Sequence, residues 1–114
     1  MKIIAINPAL RTIVQHEVSD PFNNGKAICG MDTAAVGLDF PRATLFVDDE
    51  GLLKSGNPVF AINPPDVSPD EHQGMFCGAA FIMGHDHRKD ENLDCPYTVE
   101  QVRAMVGWTN KVAR

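Results

Sequence analysis

Eleven consecutive residues from Gly74 to Gly84, Gly-Met-Phe-Cys-Gly-Ala-Ala-Phe-Ile-Met-Gly, carry no formal charge. A run of this length is too short to cross a bilayer as a helix, which takes about 20 apolar residues. Bounded by glycines, it reads as a strand buried in a core. It is followed at once by His85-Asp86-His87-Arg88-Lys89-Asp90. Loops held by rigid strands commonly carry function, so this join is where a site is expected.

The chain of 114 residues, 44% of them hydrophobic, suits a single domain over residues 1–114 with one continuous core. Its first residues, Met-Lys-Ile-Ile-Ala-Ile-Asn-Pro, hold a basic residue and a short apolar patch. They lack the longer hydrophobic region and small-residue cleavage site of a secretory leader, so a cytoplasmic protein with no membrane association is expected. Three cysteines, Cys29, Cys77 and Cys95, cannot all pair within one chain, and a reducing compartment keeps them as thiols.

Turn signals and periodicity give an order of elements. Lys2–Ile6 stops at Asn7-Pro8, and the alternating stretch Ile13–Val18 follows, which predicts an N-terminal β-hairpin. Ser19–Gly25 is dense in turn formers and reads as a loop, with Asn24-Gly25 suited to positive φ. Lys26–Gly30 fits either a helical turn or a short strand, and Ala34–Phe40 reads as a strand ended by Pro41. Thr44–Val47 and Leu52–Lys54, separated by Asp48-Asp49-Glu50-Gly51, predict a second hairpin. Residues 61–74, with Pro64-Pro65 and Pro69, predict a long exposed loop, and His85–Pro96 a second irregular stretch.

Thr98 followed by Gln101 is a capping box, and Glu100 complements the positive end of a helix dipole. A C-terminal helix is therefore predicted to run from there to Lys111 and Arg114. Val99, Val102, Met105, Val106 and Trp108 form its apolar side, with Gly107 weakening it. The fold class that follows is α+β, a mainly antiparallel sheet of hairpins with this helix packed on one face.

The net charge of −5 is concentrated in residues 48–94, which hold ten acids and three bases. Nucleic acid binding needs a basic stripe that displaces counterions, and no such run exists, so no direct DNA or RNA partner is expected. An acidic surface instead suits ordinary solvation or a basic protein partner. The N-terminal hairpin, if left uncovered, supplies an edge through which two copies could form a homo-oligomer.

Cys77, His85, His87 and Cys95 are a proper ligand set for tetrahedral zinc. If one strand continued past Gly84, its period of two would place Cys77, His85 and His87 on one face. Against that, structural zinc sites bring ligands in close pairs, and only His85/His87 form one, so the expectation is no cofactor, with zinc the alternative. Catalysis would need a cysteine nucleophile with His85 or His87 as base, or Asp86 and Glu91 as an acid–base pair. No motif specifies either arrangement, and the chain is expected to be non-enzymatic. His16 and His72 read as plain surface residues.

Val47–Lys54, Gly78–Asp86 and Thr98–Val102, in this order, resemble a small family of phage and prophage proteins known as a domain of unknown function, whose members often begin with a similar Met-Lys-Ile-Ile strand. The resemblance implies a phage accessory protein inside a bacterial cell that binds and inhibits or modulates a host protein, including components of antiviral defence. Its alternative is a protein that sequesters a small ligand or nucleotide. Sequestration needs donors facing phosphate, for which Arg88 and Lys89 beside Gly84 are candidates with His85, Asp86 and His87. Inhibition needs a partly apolar patch, for which Val67 and Met75 are candidates.

Overall fold

A computed structural model describes residues 1–63 and 74–113. Two antiparallel sheets and two short helices form three layers. The larger sheet has the strand order β2-β1-β7-β4-β3, with β8 added to β7, and the smaller has the order β6-β5-β9. The strands are β1 (Lys2–Asn7), β2 (Thr12–Glu17), β3 (Ala34–Phe40), β4 (Ala43–Asp48), β5 (Pro58–Ile62), β6 (Gly74–Cys77), β7 (Ala80–Asp86), β8 (Glu91–Leu93) and β9 (Val106–Val112). The helices are α1 (Pro21–Cys29) and α2 (Val99–Met105). This is the expected α+β class, dominated by antiparallel pairing.

β7 is the centre of the larger sheet, flanked by β1 and β4, and this explains its lack of charge. Ala80 and Ile82 face the smaller sheet, where they join a core with Ile4, Ile6, Leu45, Phe60, Ile62 and Val102. Phe81 and Met83 face the opposite way and pack with Ile3 and Met31 beneath α1. A strand covered on both faces has no position at which a charge can reach water. Gly84 ends the run because the backbone at the end of β8 comes close there: a β-carbon would collide with the main-chain oxygen of Asp94 and stand 2.6 Å from that of Leu93.

The Gly74–Gly84 run is nevertheless not one strand. It breaks at Gly78, which adopts φ +82, and its halves β6 and β7 belong to different sheets. The segment expected to be a loop from Ser19 to Gly25 is instead the start of α1. Asp20 caps this helix by accepting from the Asn23 amide, Pro21 occupies its first turn, and the positive φ falls at the C-cap Gly30 rather than at Gly25. The hairpin expected across Asp48–Gly51 is also absent. β4 pairs with β3 through a two-residue turn at Pro41-Arg42, and Gly51–Leu53 is a 3₁₀ turn.

The N-terminal hairpin and the strand Ala34–Phe40 form as expected. β8 replaces part of the irregular 85–96 stretch, pairing Gly84 with Leu93 and His85 with Asn92. The capping box of Thr98 and Gln101 is present in both directions, but the helix it opens stops at Met105. Val106–Val112 is a strand because β5 needs a partner on that side, and Thr109 secures the pairing by donating its hydroxyl to the Val59 carbonyl at 2.6 Å. Ala61 and Ile62 end β5 rather than opening a loop. Gly74 opens β6, and residues 64–73 of the expected proline-rich loop, with Val67 and His72, lie outside the described residues.

Candidate functional site

α1 is only nine residues long and covers part of its face of the larger sheet. Beside it, a groove of about 380 Å³ opens over β3, β4, β7 and β8. Its floor is apolar, made by Phe22 of α1, Val36, Phe46 and Met83. Phe22 meets Phe46 edge-on at 5.1 Å, and Phe46 stacks on the buried Phe81 at 5.4 Å, so the floor is anchored in the core below α1. The polar wall comes from Asp39, Thr44, His85, His87, Asp90 and Asn92.

Strand pairing explains how these polar groups converge. Asp39 and Thr44 are direct partners across the β3–β4 hairpin, and the Thr44 hydroxyl donates to the Asp39 carboxylate at 3.0 Å. His85 is opposite Asn92 in the β7–β8 pair. The His85 Nε2 is 3.1 Å from Asp90 Oδ1, and the two imidazole rings of His85 and His87 meet edge-on at 5.0 Å. The His87 Nε2 is 3.1 Å from the Phe40 carbonyl. A carbonyl can only accept, so this nitrogen carries a proton and donates. The join between the apolar run and the polar cluster is thus the place where a concave, mixed surface forms.

Other residues singled out in the sequence have different positions. The Asp86 carboxylate accepts from the backbone amides of Arg88 and Lys89, at 3.0 and 3.2 Å. The turn therefore holds its own carboxylate where a bound anion would sit, and these amides are not open to phosphate. Arg88 is an exposed side chain on the far side of His87, where it shares a second concavity with Pro41, Arg42 and Asp86. Met75 is exposed and lines a third cavity with Phe76, Cys77 and Asp48. The sequence does not point to Asp39, Thr44 and Phe46, because it places the hairpin at Asp48–Gly51 rather than at Pro41-Arg42, nor to Phe22, because Ser19–Gly25 reads as a loop rather than as the start of α1.

The proposed metal set of Cys77, His85, His87 and Cys95 is not assembled. Cys77 is on β6 in the smaller sheet, the histidines are at the groove on β7, and Cys95 is buried in the core between the sheets. The break at Gly78 is the physical reason, since it ends the alternation that would have kept Cys77 in phase with the histidines. Among the described residues no cluster of three or more His, Cys, Asp or Glu side chains could hold a metal ion.

The thiols are also poorly placed for nucleophilic work. Burial pushes the Cys29 thiol up to about 12 and raises Cys77. Burial raises Cys95 as well, against a smaller opposing effect of a hydrogen bond at Tyr97 and the charge of Lys2. The thiolate is the reactive form, so each shift suppresses reactivity at neutral pH. Among the described residues no helix is long and apolar enough to cross a membrane.

No curated protein and no solved structure matches the chain. A family described as a domain of unknown function, DUF3846, matches residues 1–107, which include every described element up to the start of β9. The span accords with the resemblance carried by the hairpin, glycine-bounded and capped-helix segments. The chain therefore belongs to the DUF3846 family.

Proposed function

We propose that this chain is a non-enzymatic binding protein, a phage accessory protein that engages a host protein through the His85–His87 groove and modulates or inhibits it. The groove itself carries the reading: an apolar floor open to solvent beside a short helix, with a wall of polar groups. Val36 on the floor is 57% exposed in the free chain, so a partner that covers it gains apolar burial. The two carboxylates on the wall, Asp39 and Asp90, favour a partner segment in which an apolar side chain is flanked by a basic one. The net charge of −5 favours the same class of partner.

Catalysis is less well supported. His85 pairs with Asp90, His87 bonds the Phe40 carbonyl and Asp39 accepts from the Thr44 hydroxyl, and burial raises the thiols away from the nucleophilic thiolate form. The phage setting, the bacterial cytoplasm and a target in antiviral defence rest on the resemblance of sequence segments alone.

The test is affinity capture of the tagged full chain from bacterial lysate, wild type against Val36→Lys. Val36 is exposed, so the substitution leaves the core intact and puts a cation where the partner's apolar side chain would enter. One partner in near-stoichiometric amount is expected with the wild type, falling by about tenfold or more with Val36→Lys, equivalent to about 1.4 kcal/mol. Equal capture by both forms, with the same circular dichroism, refutes the groove as the docking surface.

A further inference from the structure

A further cavity, of about 410 Å³, lies at the opposite edge of the larger sheet and is lined by Arg11, Thr12, Ile13, Val14, Arg103 and Trp108. We infer that it binds a small phosphorylated aromatic ligand of the size of a nucleoside monophosphate. Three elements far apart in sequence meet there: the β1–β2 turn supplies Arg11, α2 supplies Arg103, and β9 supplies Trp108. The chain has ten Lys and Arg against fifteen Asp and Glu, yet the residues that line this cavity include two arginines and no acid.

The arginines are set up to receive an anion. Asn7 Oδ1 accepts from the Ala9 and Leu10 amides and shapes the β1–β2 turn, at whose end Arg11 adopts a left-handed φ of 52. That conformation is uncommon outside glycine and here closes the tight turn into β2. The Arg11 Nη2 donates to Asn110 Oδ1 of β9 at 3.2 Å, which holds the guanidinium toward the strand that carries Trp108. A guanidinium has five N–H donors, so this contact leaves several for a ligand. The exposed Arg103 side chain makes no hydrogen bond or ion pair among the described residues, and its planar fork matches phosphate oxygens in pairs.

The indole determines the rest of the ligand. Trp108 is half-buried, packed against the core on one side while lining the cavity. Among the described residues no cation stands over its ring, since the single cation–π contact is Lys26 over Phe22. Phosphate alone would use the arginines and leave the indole idle, whereas a nucleobase has a flat π-face to set against it. The volume falls in the range of about 300–1,000 Å³ usual for small-molecule sites. Two arginines are too few for the basic track that a nucleic acid strand requires. The cavity is independent of the groove, which lies over β3 and β4 rather than β2.

Trp108 is the sole tryptophan of the chain, so its emission reports on this cavity directly. The full chain is titrated with AMP, GMP, CMP and UMP, with adenosine and inorganic phosphate as comparisons. Saturable quenching by at least one nucleotide is expected, with adenosine and phosphate each weaker by about tenfold or more. Arg11→Ala and Arg103→Ala are each expected to weaken nucleotide binding by about fivefold or more, while Val36→Lys leaves it unchanged. Isothermal titration calorimetry and circular dichroism of each variant separate lost binding from lost folding. The inference is overturned if no nucleotide quenches at millimolar concentration, if adenosine or phosphate matches the nucleotide, or if the folded double variant Arg11→Ala/Arg103→Ala binds as the wild type does.

Discussion

Replacing Gly25 with alanine sets helix propensity against packing. Glycine inside a helix costs up to about 1 kcal/mol relative to alanine, so propensity alone makes Gly25→Ala stabilising. A β-carbon at Gly25, however, would stand 2.5 Å from two ring carbons of Phe81 and 2.8 Å from a third. Carbon atoms pack best about 3.5–4.0 Å apart, so either the ring must turn or α1 must rise by about 1 Å. The ring has no room, since Phe81 is fully buried and stacks on Phe46, with Phe22 edge-on to it at 6.5 Å. Lifting α1 opens the contacts that Met31 and Phe22 make with this core.

Overpacking of this kind costs about 1–3 kcal/mol. After the propensity gain of up to about 1 kcal/mol is credited, a net loss of up to about 2 kcal/mol remains. In urea unfolding, with a mid-range dependence of about 2 kcal/mol per molar, the midpoint should fall, by up to about 1 M. Ala27→Gly, at an exposed position of the same helix, measures propensity without the clash. In a Phe81→Leu background the penalty of Gly25→Ala should shrink or reverse, and the coupling identifies the ring as its cause. A raised midpoint for Gly25→Ala in the wild-type background refutes the packing argument. Because α1 carries Phe22, the same substitution should also weaken capture of the groove's partner.

Further outcomes follow from local contacts. Thr98→Ala removes the side-chain half of the capping box and should lower stability by about 1 kcal/mol in urea unfolding. Burial tends to raise the Asp48 carboxyl, but hydrogen bonds from Lys54 and the Glu50 amide, with the charge of Lys54, hold it below its ordinary value. A depressed carboxyl contributes stability above its unfolded pKa of 3.8, lost as pH falls through the lower folded value. Wild type should therefore lose more stability than Asp48→Asn between neutral pH and acid below 3.8, and parallel pH profiles would refute this. With its thiol raised to about 12, Cys29 should react slowly with a disulfide reagent at pH 8, as should the buried Cys77 and Cys95, until urea exposes all three. Gly84→Ala should cost about 3 kcal/mol, because its β-carbon meets the main-chain oxygens of Leu93 and Asp94, which no side-chain rotation can move.

Local signals were legible where they were self-contained. The capping box of Thr98 and Gln101, the Met1–Val18 hairpin and the strand ended by Pro41 depend on neighbours in sequence, and all three form. The start of α1 was equally local. Asp20-Pro21 is an N-cap followed by a first-turn proline, but the asparagines and glycine behind it read as a turn. Gly25 is there for a tertiary reason, the close approach of the helix to Phe81.

Legible in the residues alone were the α+β class, a buried apolar run that ends at a polar cluster, and a capped helix near the C-terminus. Partnership between strands was decided only by the tertiary structure, because hydrogen-bond ladders join residues whose pairing leaves no local trace. Gly78 sends β6 and β7 into separate sheets and separates Cys77 from the histidines. The open side of β5 turns Val106–Val112 into strand, which in turn carries Trp108 to Arg11 and Arg103. Asp39 reaches Thr44, and His85 reaches Asn92, only through strand register. Both candidate binding surfaces are therefore products of long-range pairing, while the elements that compose them are products of local chemistry.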